Sequence, residues 1–200
     1  MASTKQKMST QTLVMGAIMT AFVIVFQLLA TYTTFFGPFS TALALIPIVI
    51  GAAMCGTGVG AWLGFVFGVI VMITGGANLF FAVDVPGTVI TVLAKGTLCG
   101  AAAGLVYKLL QKFNKTVAVF ASAIVCPVVN TGVFLLGSYL FFMDNVDQLL
   151  AKLEELGSPM TEKGFAVFLA LASANFLFEL GTNIVVSPII VRLLNIRKKQ

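Results

Sequence analysis

Lys95 and Glu179 each stand alone inside a long apolar stretch, Lys95 in VPGTVITVLAKGTLCGAAAGL and Glu179 in FAVFLALASANFLFELGTNIVV. A charge at the middle of a membrane helix costs roughly 3 kcal/mol on insertion scales, so such a residue usually faces a partner, a water-filled cavity or a bound solute. Asparagines accompany both charges. Asn175, Glu179 and Asn183 are spaced i, i+4 and i+8 and therefore share one helix face. Asn130 lies near Pro127, whose missing N–H frees a helix carbonyl as a further polar group. Two readings are open: Lys95 and Glu179 as a structural ion pair, or a pocket in which one or both hold a ligand.

The elements that position these groups are membrane helices. The 200 residues are 59% hydrophobic and 10% charged, with a mean hydropathy of +1.05, which places the chain in the membrane class. A helix needs about 20 apolar residues to cross a hydrocarbon core of roughly 30 Å. Runs of that kind, separated by Gly, Pro or charge, predict an all-α polytopic membrane protein with one domain over residues 1–200. Its six transmembrane helices are expected near 13–31, 40–55, 59–73, 86–110, 117–142 and 165–194. The second and third are short and share the turn CGTGVG at Cys55–Gly60, so a re-entrant pair is the alternative there. The last is long enough to tilt or to project beyond the bilayer. Lys95 then lies about eight residues from the outer end of the fourth span, roughly 12 Å deep at 1.5 Å per residue.

Charge placement predicts the orientation. With both termini cytoplasmic, nine of the twelve basic residues (Lys5, Lys7, Lys108, Lys112, Lys115, Arg192, Arg197, Lys198 and Lys199) fall inside, as short cytoplasmic loops require. Lys152 and Lys163 fall outside, together with Asp84, Asp144, Asp147, Glu154, Glu155 and Glu162. The same rule accounts for a pI near 9.3 without a nucleic-acid partner, because the basic residues are scattered at helix ends and not clustered with aromatics. The first apolar run lacks an A-x-A cleavage site and is expected to be retained rather than removed as a signal peptide.

Cys55, Cys99 and Cys126 are widely spaced within or beside apolar runs and read as free buried thiols. The chain has no histidine, which removes the commonest general base and the commonest zinc ligand. H-E-x-x-H, G-x-S-x-G and G-x-x-x-x-G-K-[ST] are all missing. An enzyme is not expected; no cofactor belongs to this chain, and any ATP is used by another subunit.

Small residues mark two helix faces, since helices in lipid gain by close approach where side chains are small. Gly60, Gly64 and Gly68 line one face of the third span and suit packing within the molecule. Ala17 and Ala21, flanked by Gly16 in the first span, suit either internal packing or contact with another membrane subunit. The external segments TYTTFFGPF (31–39) and GGANLFFAVDVPG (75–87) carry aromatics with Asn78, Phe80, Phe81 and Asp84. They form either an interfacial belt or a pocket wall against a flat ligand. In MDNVDQLLAKLEELGSPMTEKG, Leu149, Leu153 and Leu156 are helically spaced before Gly157, predicting an external amphipathic helix near 145–156 that lies on the surface or covers a site.

With its length, six expected spans, cytoplasmic ends and A-x-x-x-A at Ala17–Ala21, together with IPIVIGAAMCGTGVGAWLGFVFGVI and CPVVNTGVFLLGSYLFF, the chain resembles the S component, the substrate-binding membrane subunit of energy-coupling factor (ECF) transporters. The resemblance covers nearly the whole chain. It implies that Ala17 and Ala21 dock on a transmembrane coupling subunit driven by two cytoplasmic ATPases. It also implies a substrate site near the external face, among the fourth, fifth and sixth helices, with Lys95, Asn130, Asn175 and Glu179 as pocket residues. Asn183, Asn78 and Phe81 complete the candidate set. The substrates it implies are water-soluble vitamins, their precursors or metal ions; the metal-binding branch uses a histidine-rich N-terminus, which this chain lacks. Lys95 leans toward a carboxylate or phosphate and the Phe-rich loops toward a ring, so riboflavin-, pantothenate- and pteridine-like solutes are compatible. The competing readings are a non-transporting scaffold subunit in the cell membrane, with Lys95 and Glu179 as a buried pair, and a proton-coupled carrier with Glu179 as the titrating group.

Overall fold

The computed structural model describes residues 9–32, 43–142 and 164–197. Among them the chain is all-helical: α1 (Thr10–Tyr32), α2 (Leu45–Cys55), α3 (Thr57–Ile73), α4 (Asn78–Phe81), α5 (Val85–Leu110), α6 (Lys115–Phe142) and α7 (Gly164–Arg197). Helices are the natural outcome for such apolar runs, because lipid offers no partner to backbone N–H and C=O groups. Local signals set their ends. Gly56, at a φ of 95°, separates α2 from α3 while its N–H caps the Ala52 carbonyl at 3.0 Å. Asp84 caps α5 by accepting from the Gly87 N–H at 3.1 Å, with Pro86 in the first turn. Asn114 accepts from the backbone N–H groups of Thr116 and Val117 at the start of α6.

Among the described residues four helices are long and apolar enough to cross a membrane: α1, α5, α6 and the part of α7 over Ala172–Asn195. The second and third expected spans coincide with shorter apolar helices. The 11 residues of α2 and 17 of α3 extend roughly 17 and 26 Å at 1.5 Å per residue, so α2 falls well short of the hydrocarbon thickness. The loop expected at 75–87 contains the short helix α4. The amphipathic helix expected near 145–156 and most of the segment at 31–39 lie outside the described residues.

The glycine face of α3 packs within the molecule. Gly60 lies against Gly100, Gly64 against Gly96 and Gly68 against Val92, and a Cβ on any of these three would run into the α5 backbone. Gly96 and Gly100 meet α3 backbone in the same way, so the two helices touch main chain to main chain. Around this contact the core gathers Met19 and Val23 of α1, Ile48 of α2, Leu63 and Phe67 of α3, Cys99 of α5, Val119 and Cys126 of α6 and Ile190 of α7. The outward positions Leu28, Leu29, Leu105, Leu136 and Val185 are exposed, as suits a lipid-facing surface. A smaller cluster joins Phe80 and Phe142 to Phe134 and Phe141. Lys95 immediately precedes Gly96, so the α3–α5 contact sets its height and rotation.

Candidate binding site

Glu179, in α7, is 2% exposed and sits at the centre of a polar cluster. Its carboxylate accepts from Asn175 Nδ2 at 2.7 Å, one turn earlier on α7, and from Asn130 Nδ2 at 3.3 Å, across on α6. Its backbone carbonyl accepts from Asn183 Nδ2 at 2.9 Å and Thr182 Oγ1 at 3.0 Å. The i, i+4, i+8 spacing thus converges on one residue. An ionised carboxylate and a carbonyl can only accept, so each asparagine must turn its NH2 toward Glu179. The consequence is that Oδ1 of Asn130, Asn175 and Asn183 is buried with no hydrogen-bond partner.

Lys95 enters from α5. Its Nζ lies 5.0 Å from the Phe134 ring centroid and 5.9 Å from that of Phe67, where the ring quadrupoles attract a cation. Among the described residues no hydrogen bond or ion pair joins Lys95 to Glu179. Both residues instead border one cavity of about 50 Å³, together with Phe67, Phe80, Val92, Asn130, Thr131, Phe134 and Ala172. Apolar walls with a few placed polar groups are the usual form of a small-molecule site. The volume is small beside the roughly 300 Å³ and above of pockets that hold drug-sized ligands.

The other sequence candidates fall around this centre. Asn175 and Asn183 hold Glu179. Asn78 is exposed at the start of α4, and Phe81 is half-buried against the main core; neither is on the described cavity wall, whereas the adjacent Phe80 is. Phe80 meets Phe134 edge-on at 5.4 Å and Phe142 at 5.2 Å, which turns it inward. The sequence reading missed Phe67, Thr131 and Phe134. Phe134 was findable, being i+4 from Asn130 on α6; Phe67 carried no signal beyond its type. Gln27 of α1, fully buried with neither side-chain polar atom hydrogen-bonded, was also passed over and is not on that wall.

Ala17 and Ala21 are exposed on α1. Ala17 lines a groove of about 770 Å³ with Leu13, Gly16 and Thr20 of α1 and Val59 and Trp62 of α3. Trp62 reaches across it to donate from Nε1 to Thr20 Oγ1 at 3.3 Å.

Long apolar helices with lipid-suited surfaces, enclosing a charged cluster and no strand among the described residues, define an all-helical membrane protein. Residues 11–191 match the family model described as ECF transporter, substrate-specific component, and the chain belongs to that family. It is therefore a transporter subunit. No curated protein matches the chain.

Proposed function

We propose that this chain is the high-affinity substrate-binding subunit of an ATP-driven ECF-type importer for a water-soluble vitamin or precursor, with riboflavin-, pantothenate- and pteridine-like solutes as the compatible classes. The observation that carries this reading is the Lys95 ammonium on the wall of a cavity of mixed apolar and polar lining, opposite in charge to Glu179 and held over two phenyl faces. Lys95 and Asn130 contact the solute, Asn175 and Asn183 keep Glu179 in place, and Asn78 and Phe81 belong to the outer approach. The chain crosses the cell membrane six times with both termini cytoplasmic, the arrangement that the distribution of Lys and Arg favours. Solute capture draws the walls together, the exposed Ala17–Ala21 face docks on the transmembrane coupling subunit, and two cytoplasmic ATPases drive release and reset.

The test is a thermal-shift panel of water-soluble vitamins and precursors on the detergent-purified chain. A ligand at 100 times its dissociation constant adds about 2.7 kcal/mol to the folded state, so one compound should raise the melting temperature well above the rest. A flat panel, with no co-purified small molecule, would move the assignment to the scaffold reading.

A further inference from the structure

We propose that the part of the solute lodged between Lys95 and Asn130 is an uncharged N–H beside a carbonyl, as in a lactam, ureide or pyrimidinedione ring, and not a carboxylate or phosphate. The inference rests on the solute-binding reading above and sharpens it.

Asn130 is 4% exposed and borders the cavity. Its Nδ2 is committed to Glu179, and its Oδ1 is buried with no partner. This end of the site needs a hydrogen-bond donor. Lys95 has the opposite need: its ammonium offers three N–H donors and, among the described residues, lies over two ring faces and near the Glu179 charge without donating a hydrogen bond. Both groups border a space of about 50 Å³, less than twice the roughly 30 Å³ that one water occupies in the liquid. One ligand fragment lodged in that cavity therefore faces both groups.

Few chemistries meet both needs at once. A carboxylate or phosphate would accept from Lys95, but it presents only acceptors to Asn130 Oδ1 and places a second negative charge beside Glu179, which borders the same cavity. A protonated amine would satisfy Asn130 and repel Lys95, and a hydroxyl on a saturated carbon could donate and accept but offers no planar surface to the aromatic side chains of the wall. An N–H next to a C=O gives a donor to Asn130 and an acceptor to Lys95 without adding charge. The flat faces of Phe67, Phe80 and Phe134 on the same wall suit a planar ring that carries this edge.

Isothermal titration of the detergent-purified chain tests the assignment with riboflavin paired with its N3-methyl derivative, with lumazine paired with its N1,N3-dimethyl derivative, and with nicotinate as a carboxylate probe that has no amide. The expected result is that at least one ring parent binds, that N-methylation weakens it by about 100-fold or more, and that Lys95→Met loses the same parent. Undiminished binding of the methylated ring overturns the inference. So does nicotinate binding while both rings fail, an outcome that leaves the solute-binding reading standing. Silence from every probe here and across the wider vitamin panel overturns both.

Discussion

Gly64→Ala is the sharpest test of how this fold holds its charged site. The added methyl would meet the Gly96 carbonyl and the Thr97 Cα, which are backbone atoms of α5 and cannot swing aside as a side chain does. Relief requires the two helices to separate, and overpacking of this kind costs about 1–3 kcal/mol. Replacing glycine by alanine in a helix returns roughly 0.5–1 kcal/mol, leaving a net loss of about 1.3 kcal/mol at the middle of both ranges. At roughly 2–4 °C per kcal/mol for a chain of this size, the melting temperature should fall by about 3–5 °C. Gly132→Ala in α6 is the matched control, since nothing lies within 4 Å of its added Cβ; it keeps only the helix-propensity gain and should rise by about 1–4 °C. Thermal unfolding of both variants in the same detergent reads the difference directly. Separation of α3 from α5 also moves Lys95, so ligand affinity should fall in Gly64→Ala. Equal melting temperatures for the two variants would refute the claim that main-chain contact between α3 and α5 sets the geometry.

Lys95→Met should leave the melting temperature unchanged or raised, because removing a half-buried cation that lacks an anionic hydrogen-bond partner relieves desolvation, while vitamin-induced stabilisation disappears; a large loss of stability would favour the structural-pair reading. Ala17→Leu with Ala21→Leu should leave solute binding by the isolated chain intact and abolish pull-down of the coupling subunit, and quenching of the single tryptophan, Trp62, which lines the same groove, should report docking of the unaltered chain. Maleimide labelling should modify Cys55 alone in the folded protein, since Cys99 and Cys126 are buried, and all three thiols after denaturation in SDS; rapid labelling of three sites before denaturation would contradict the packing of α5 against α6.

What the sequence determined by itself is what local periodicity and composition carry. Apolar run length dictated helices, and the i, i+4, i+8 spacing brought Asn175, Glu179 and Asn183 together before any neighbour was known, because both depend only on the 3.6-residue repeat. The solitary charges stood out for the same reason: lipid tolerates them only with a role. Tertiary structure decided the rest. Asn130 reaches Glu179 over a separation of 49 residues, Lys95 lies over Phe134 and Phe67 without bonding directly to Glu179, and Phe80, not Phe81, borders the cavity. Each of these depends on the rotation and separation of helices distant in sequence. That rotation follows from backbone meeting backbone at Gly64 and Gly96: the glycine face at Gly60, Gly64 and Gly68 was visible in the sequence, but not which helix it meets.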